Sequence, residues 1–120
     1  MLEFDQPFKL YVFKDSNRVS WSLRVSENHV HSYNLARDEF ELMLRHWQQP
    51  GGYHWQSNSW RWCVEHKTQG PAPQRVPANY VKIFVGGAGQ DFHYRFELTD
   101  MIDLEREFFY QCNNQMHWDS

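Results

Sequence analysis

The segment from Arg18 to Ser26 alternates between apolar and polar residues over its whole length. Val19, Trp21, Leu23 and Val25 take every second position, and serine or arginine fills the positions between them. Successive side chains of a strand point to opposite faces, so this spacing predicts a β-strand with one buried and one exposed face. It is the cleanest alternation in the chain, and it requires the fold to contain a half-buried sheet.

Further strands are predicted on both sides of this segment. Turn-forming sequences such as Asp15-Ser16-Asn17 and the glycine-rich 86–90 separate most of them, and strands joined by tight turns pair antiparallel. The predicted strands are Phe8–Lys14, Arg18–Ser26, His29–Tyr33, Tyr53–Gln56, Trp60–Lys67, Tyr80–Val85 and Asp91–Leu98. The stretch 68–79 contains three prolines and is predicted to be an exposed, partly polyproline connection.

Two helices are predicted from apolar residues at helical spacing. Asn34 is the predicted N-cap of the first helix, which is expected to run to Gln49 and to end at Pro50-Gly51-Gly52. The second is expected to begin after Thr99 or Asp100. The predicted buried stripes are Ala36, Phe40, Met43, Leu44 and Trp47 in the first helix, and Met101, Leu104, Phe108 and Cys112 in the second.

These elements predict an α+β fold over residues 1–120 as a single domain. The expected architecture is a mostly antiparallel, curved sheet of about five to seven strands with two helices packed on it. The expected order is β-β-(β)-α-β-β-β-α, in which the bracketed strand is His29–Tyr33 and the short segment Tyr53–Gln56 is not counted. A chain of 120 residues is long enough to bury one hydrophobic core without a metal or disulfide.

The charge and the N-terminus set expectations about partners and location. With 15 acidic against 12 basic residues the net charge is -3, so we expect neither nucleic acid nor a membrane as the partner. Residues 1–5 carry no basic and apolar signal sequence, and the longest apolar run is far short of a membrane span. The expected location is the cytoplasm, with Cys63 and Cys112 reduced.

The sequence contains no motif that predicts catalysis, a cofactor or a metal. His29 and His31 have spacing that suits two ligands, but the other five histidines are scattered and neither HExxH nor CxxC occurs. The glycines at 86, 87 and 89 are followed by a predicted strand, whereas a phosphate loop is followed by a helix. We therefore expect a protein that is not an enzyme and has no catalytic, cofactor-binding or metal-ligating residues.

Two interpretations remain open for the first hairpin. Lys9, Tyr11 and Phe13 can share one face with Arg18 and Arg24, a mixture of basic and stacking groups that single-strand nucleic-acid binders use. The alternative is that Tyr11 and Phe13 are buried under a helix. We expect them to be buried, since the predicted strand is apolar on both faces.

Some apolar residues do not fit the predicted core. Leu35 and Leu42 lie well off the buried stripe of the first helix, together with Glu39 and His46. They either line the rim of the core under a loop or form a second apolar strip available to a partner. Tyr53 and Trp55, directly after Pro50-Gly51-Gly52, are candidates for exposed anchors of the same kind.

The layout of the chain resembles that of small bacterial toxin-immunity proteins, which bind and block a cognate toxin. The resemblance lies in a strand-rich start with VSWSLRV, in FELMLRHW running into YHWQSNSW, and in the end YRFELTDMIDLEREF. It spans most of the chain but is one of arrangement, so it carries over no functional residue.

The resemblance implies a non-enzymatic module that binds a protein, such as a basic toxin domain, as a monomer or homodimer. Acidic residues of the first helix would steer the toxin, and apolar anchors would be buried against it. The predicted partner-binding residues are Asp38, Glu39, Glu41, Leu42, Tyr53 and Trp55.

Two other functions remain open. One is a small-molecule-binding or enzymatic domain with a pocket lined by Trp21, Trp60 and Trp62. The other is a phage or mobile-element protein that antagonises a host complex.

Overall fold

The computed structural model describes residues 7–56, 60–87 and 90–118, with residues 60, 90, 91 and 114–118 described by their backbone alone. In these residues the chain forms seven strands and two helices, in the order three strands, helix, four strands, helix. The elements are β1 Phe8–Val12, β2 Arg18–Ser26, β3 His29–Ala36, α1 Arg37–His46, β4 Tyr53–Gln56, β5 Trp60–Gln69, β6 Val76–Gly87, β7 Gln90–Glu97 and α2 Leu98–Trp118. The predicted α+β class with antiparallel strands and two helices is confirmed.

The strands are divided between two antiparallel sheets, of order β1-β2-β3 and β4-β5-β6-β7. In β2, the predicted inward residues Val19, Trp21 and Leu23 are fully buried. Val25 is half exposed because a bulge between Arg24 and Ser26 interrupts the alternation.

The first helix begins later than predicted. Asn34 is not an N-cap, since β3 continues through Ala36 and Asn34 pairs with Ser20. Leu35 is opposite Val19 and is buried, so the prediction that it belongs to the first helix, off its buried stripe, is wrong. Pairing with β2 satisfies backbone groups that an earlier helix start would have left without partners. Acidic residues in the first turn of α1 and Arg45 and His46 in its last turn complement the helix dipole.

The proline-containing stretch 68–79 is a hairpin rather than a wide connection. Thr68 pairs with Pro77 and Gln69 with Val76, so β5 and β6 extend towards each other and leave a short turn between them. A register shift between His66 and Thr68 lies beside this pairing. Pro77 is tolerated near the start of its strand and next to an irregularity, where the ladder does not need its missing N–H group.

The expectation that Tyr11 and Phe13 are buried is also wrong. Tyr11 is 60% exposed and Phe13 38% exposed, and their rings form an edge-to-face pair with centroids 4.9 Å apart. The core side of β1 is formed by Phe8 and Val12, which are buried, so the two rings lie on the opposite face.

The chain forms two compact units, residues 1–41 with 99–120 and residues 42–98. In the first unit the ring of Phe40 contacts Trp21 on β2, at a centroid distance of 5.1 Å, and Phe108 on α2, at 5.5 Å. In the second unit one face of the four-stranded sheet is buried. Its core residues are Trp62, Val64, Val81, Ile83, Val85, Tyr94 and Phe96. The single domain over 1–120 stays a prediction.

Gln111 on α2 covers the outer edge of β1 with its side-chain amide. Its Nε2 donates to the Leu10 carbonyl and its Oε1 accepts from the Val12 N–H, both at 2.7 Å. The amide thus occupies the position of a neighbouring strand and satisfies an edge that would otherwise be open to pairing with another chain. The Nε2 also donates to Glu107 Oε1 at 3.1 Å, which fixes the rotamer.

We predict that Gln111→Ala lowers the free energy of unfolding by about 2 kcal/mol, because Val12 is fully buried and its N–H loses its partner. Urea denaturation followed by circular dichroism measures the change. Asn113→Ala is the matched control, an exposed amide on the same helix that should change stability little. Equal destabilisation by the two substitutions would show that the edge contact contributes nothing.

Neither of the helices in the part of the chain that the structure describes is long and apolar enough to cross a membrane.

Candidate partner-binding surface

The acidic residues of α1 have structural contacts of their own. Asp38 is exposed, and its Oδ1 accepts from the Glu39 backbone N–H at 2.9 Å and from Asn17 Nδ2 at 3.1 Å. The Asp38 N–H in turn donates to Asn17 Oδ1 at 3.1 Å. Asp38 therefore fastens the first turn of α1 to the turn after β1, while its charge remains in solvent.

Glu39 and Glu41 are half-buried rather than fully exposed. Glu41 lies close enough to Cys112 on α2 to influence its ionisation. Burial raises the pKa of the Cys112 thiol, Arg37 opposes this, and the Glu41 carboxylate raises it further. All three predicted acidic residues belong to the first unit, in the first half of α1.

Leu42 is the apolar residue on the solvent side of α1. It is 42% exposed, whereas Phe40, Met43 and Leu44 are buried on the opposite side of the helix. His46 follows one turn later, at the i+4 position, so Leu42 and His46 are neighbours on the helix surface. The prediction that Leu42 lies off the core stripe is confirmed.

Tyr53 and Trp55 share one face of β4, because they are two residues apart in a strand. Both are half-buried. Their rings lie against the buried Trp62 of β5, with centroid distances of 6.3 Å from Tyr53 and 6.1 Å from Trp55. Trp62 thus packs against both rings on their buried side, and part of each ring remains at the surface.

His46 connects the helix to the strand. Its ring stacks on Tyr53 with a centroid distance of 6.2 Å and an interplanar angle of 16°. The Nδ1 atom of His46 hydrogen-bonds Gln49 Nε2 at 2.9 Å, which orients the ring. Leu42, His46, Tyr53 and Trp55 therefore form a continuous apolar and aromatic surface within the second unit, which we call the helix–strand strip.

A second contact anchors the end of α1. Trp47 is buried, its ring stacks on His66 of β5 at 5.7 Å, and its carbonyl oxygen hydrogen-bonds His66 Nε2 at 2.6 Å. The helix end and β5 are thereby joined by one stacking contact and one hydrogen bond. This contact makes the helix–strand strip a preformed surface rather than one that a partner must order.

The structure also has a groove on the four-stranded sheet that the sequence analysis missed. His54, Cys63, Phe84 and His93 are paired across β4, β5, β6 and β7 and so lie in one row on one face. The groove has a volume of about 460 Å³. It is lined by this row together with Trp55, Gln56, Arg61, Trp62, Glu65 and Gly86. In β5 and β6 the row residues Cys63 and Phe84 alternate with buried residues, but the row itself depends on the register of four strands.

Of the three tryptophans predicted to line a pocket, Trp62 lines the groove and Trp21 does not. Trp21 is buried in the first unit against Phe40, and Trp62 is buried in the second unit, where it lines the groove. The Trp60 side chain lies outside the described residues.

Within the described ranges, no three histidine, cysteine, aspartate or glutamate side chains come together as a metal site would require. The rings of His29 and His31 do contact each other edge to face, with centroids 4.8 Å apart.

Cys63 in the groove is held as a thiol. Burial raises the pKa of Cys63, and the nearby Glu65 carboxylate raises it further, against smaller opposing effects of Arg61 and the Phe84 backbone. The rate of alkylation, measured in a Cys112→Ser background, should therefore rise with pH around a midpoint above that of an ordinary thiol, about 8.5. Glu65→Gln should move the midpoint down. A midpoint at or below that of a free thiol would contradict this environment.

Comparison of the chain with protein-family models, with curated proteins and with solved structures gives no match.

Proposed function

We propose that this chain is a non-enzymatic protein-binding module, an immunity protein that binds a cognate bacterial toxin in the cytoplasm and neutralises it. The observation that carries the proposal is the helix–strand strip. It begins at Leu42, which is 42% exposed, and extends through His46 to the half-buried rings of Tyr53 and Trp55. Exposed aliphatic and aromatic groups held in fixed positions are the usual anchors of protein interfaces.

Rigidity of the strip supports binding without a large ordering cost. Tyr53 and Trp55 lie against Trp62, and His46 is held by Gln49, so little side-chain freedom is left to lose on association. An inhibitor that covers the active surface of its target gains affinity from such preorganisation. The toxin would bury the uncovered part of each ring and the Leu42 side chain.

The acidic residues suggest the charge of the partner. Asp38, Glu39 and Glu41 place three carboxylates in the first half of α1, and Asp38 is exposed. Charges of this kind raise association rates with a basic protein and do so less at high salt. We therefore assign them to steering of a basic toxin surface, and assign the contact energy to the helix–strand strip.

The test uses the protein encoded directly upstream of this chain's gene, called here the upstream product. Expression of the upstream product alone should stop growth of a bacterial host, and co-expression of this chain should restore it. The same co-expression with Leu42→Arg should fail to restore growth, whereas Ile102→Arg should restore it, since Ile102 is a similarly exposed aliphatic residue on α2. An upstream product that is harmless, or is equally harmful with and without this chain, would contradict the proposal.

A second candidate function is binding of a small molecule in the groove. The volume of about 460 Å³ lies within the range of small-molecule sites, and Phe84 supplies an aromatic wall between His54 and His93. An environment-sensitive naphthalene dye should then bind with one-to-one stoichiometry, and Phe84→Ala should weaken its binding. Loss of dye binding without loss of toxin neutralisation would separate the two functions.

A further inference from the structure

The strands of the first sheet carry basic residues but no acidic ones. Its three strands, 8–12, 18–26 and 29–36, contain three lysine or arginine residues and no aspartate or glutamate. Because side chains alternate, Lys9 and Tyr11 of β1 lie on the face opposite the buried Phe8 and Val12. The cross-strand partners of Lys9 and Tyr11 are Ser22 and Ser20 of β2, so the face combines positive charge, aromatic rings and hydroxyl groups.

The pairing register arranges these groups in rows across the sheet. One row contains Lys9, Ser22 and Ser32, in which the two serine hydroxyls are hydrogen-bonded at 2.8 Å. The next row contains Tyr11, Ser20 and Asn34.

Phe13, directly after β1, donates its N–H to the Arg18 carbonyl at 3.1 Å, so it lies beside the start of β2. Arg24 lies near the other end of β2. The aromatic pair therefore lies beside Arg18 at one end of the face, with Lys9 next to Tyr11 along β1 and Arg24 towards the other end.

The three strands themselves carry no acidic residue, although Asp15 and Glu27 lie in the turns that join them. Seven of the 15 acidic residues are on the two helices. They are Asp38, Glu39, Glu41, Asp100, Asp103, Glu105 and Glu107. The three strands therefore carry a local excess of positive charge, which the net charge of -3 does not describe.

From this arrangement we infer that the exposed face of the first sheet binds single-stranded nucleic acid. Tyr11 and Phe13, 60% and 38% exposed, provide rings on which unpaired bases stack, and Lys9, Arg18 and Arg24 contact the phosphates. A sheet surface with exposed rings can bind unpaired bases, since bases inside a duplex do not offer their faces for stacking. The inference is independent of the toxin-binding function and uses residues outside the helix–strand strip.

The test is fluorescence anisotropy with labelled oligothymidine and oligouridine of about 10 nucleotides, a length that spans one such platform. We expect saturable binding in the micromolar range at low salt. Contacts to three phosphates give a slope of about -2 in a plot of log affinity against log salt. A duplex of the oligothymidine with its complementary strand should bind more weakly than either single-stranded probe.

Variants separate stacking from charge. Tyr11→Ala should weaken binding about tenfold or more, and Tyr11→Phe should retain it, because the ring is what stacks. Tyr110→Ala is the matched control, a 63% exposed tyrosine on α2, and should have no effect. Arg18→Ser should reduce the salt slope by about 0.7, whereas Arg106→Ser, an exposed arginine on α2, should leave it unchanged.

Three results would overturn the inference. They are no saturable binding of either oligonucleotide at low salt, equal weakening by Tyr11→Ala and Tyr110→Ala, and tighter binding of the duplex than of the single strands. Circular dichroism of each variant confirms that it is folded, which is expected because the replaced side chains are exposed. Binding of polyglutamate that is as tight as that of the oligonucleotides and insensitive to Tyr11→Ala would instead assign the face to an acidic protein.

Discussion

Gly52→Ala should destabilise the protein by about 3 kcal/mol or more, which is large for a change of one methyl group. Gly52 has φ +93°, in the left-handed region that residues with a Cβ avoid. A Cβ there would overlap the Val64 carbonyl oxygen and lie 2.8 Å from the Val64 carbonyl carbon, in the backbone of β5. The backbone of β5 is held by pairing on both sides, so it has little freedom to move away.

Gly51→Ala provides the matched control for Gly52→Ala. Gly51 also has positive φ, +83°, but a Cβ at this position would meet nothing within 4 Å. Gly51→Ala should therefore lower the free energy of unfolding only by the cost of placing alanine at positive φ, about 1 kcal/mol. Urea denaturation of both variants measures the difference. Equal losses of stability would show that the close approach of Gly52 to β5 is not maintained in solution.

Leu42→Arg should weaken binding of the upstream product about 30-fold or more, equivalent to about 2 kcal/mol. The substitution removes the apolar contact of the helix–strand strip and adds a positive charge facing a basic partner. It should leave the stability of the chain nearly unchanged, because Leu42 is 42% exposed and arginine has a helix propensity close to that of leucine. Isothermal titration calorimetry measures the affinity, and thermal unfolding confirms the fold.

Ile102→Arg is the control for Leu42→Arg. Ile102 is 37% exposed, on α2, and it makes no part of the helix–strand strip. Its replacement adds the same charge and removes a similar apolar area, and it should leave the affinity within about twofold, as for residues outside an interface. A loss of affinity that is equal for the two variants would mean that total charge, and not the helix–strand strip, controls binding.

Local sequence patterns predicted what depends on one strand or one helix. The alternation in β2 placed Val19, Trp21 and Leu23 in the core, and helical spacing placed Leu42 outside it. The position of Leu42 was predicted correctly although the helix start was not, because the angle between residues of one helix does not depend on where the helix begins.

The errors came from contacts between segments distant in sequence. Pairing with β2 kept Asn34 and Leu35 in a strand, although asparagine before an amphipathic stretch is typical of a helix N-cap. Pairing of Thr68 with Pro77 likewise turned an apparent proline-rich connection into a hairpin. Such pairing depends on partner strands and is not visible in the composition of either segment.

The candidate surface was only partly predictable for the same reason. Leu42 was identified by helical spacing, and Tyr53 and Trp55 by residue type and by their position directly after Pro50-Gly51-Gly52. The contact that joins them, between His46 and Tyr53, depends on the turn at 47–52, which brings β4 back beside α1. Prediction of the groove row of His54, Cys63, Phe84 and His93 would have required the register of four strands, which the pattern of a single segment does not show.

Site-specific crosslinking tests the binding surface most directly. Benzoylphenylalanine is placed at position 42 in one sample and at position 102 in another, and each is irradiated with the upstream product. A covalent adduct of the two proteins from position 42, with none from position 102, is the result expected if Leu42 lies in the interface. Adducts from position 102 alone, in a complex that still forms, would place the interface elsewhere on the chain.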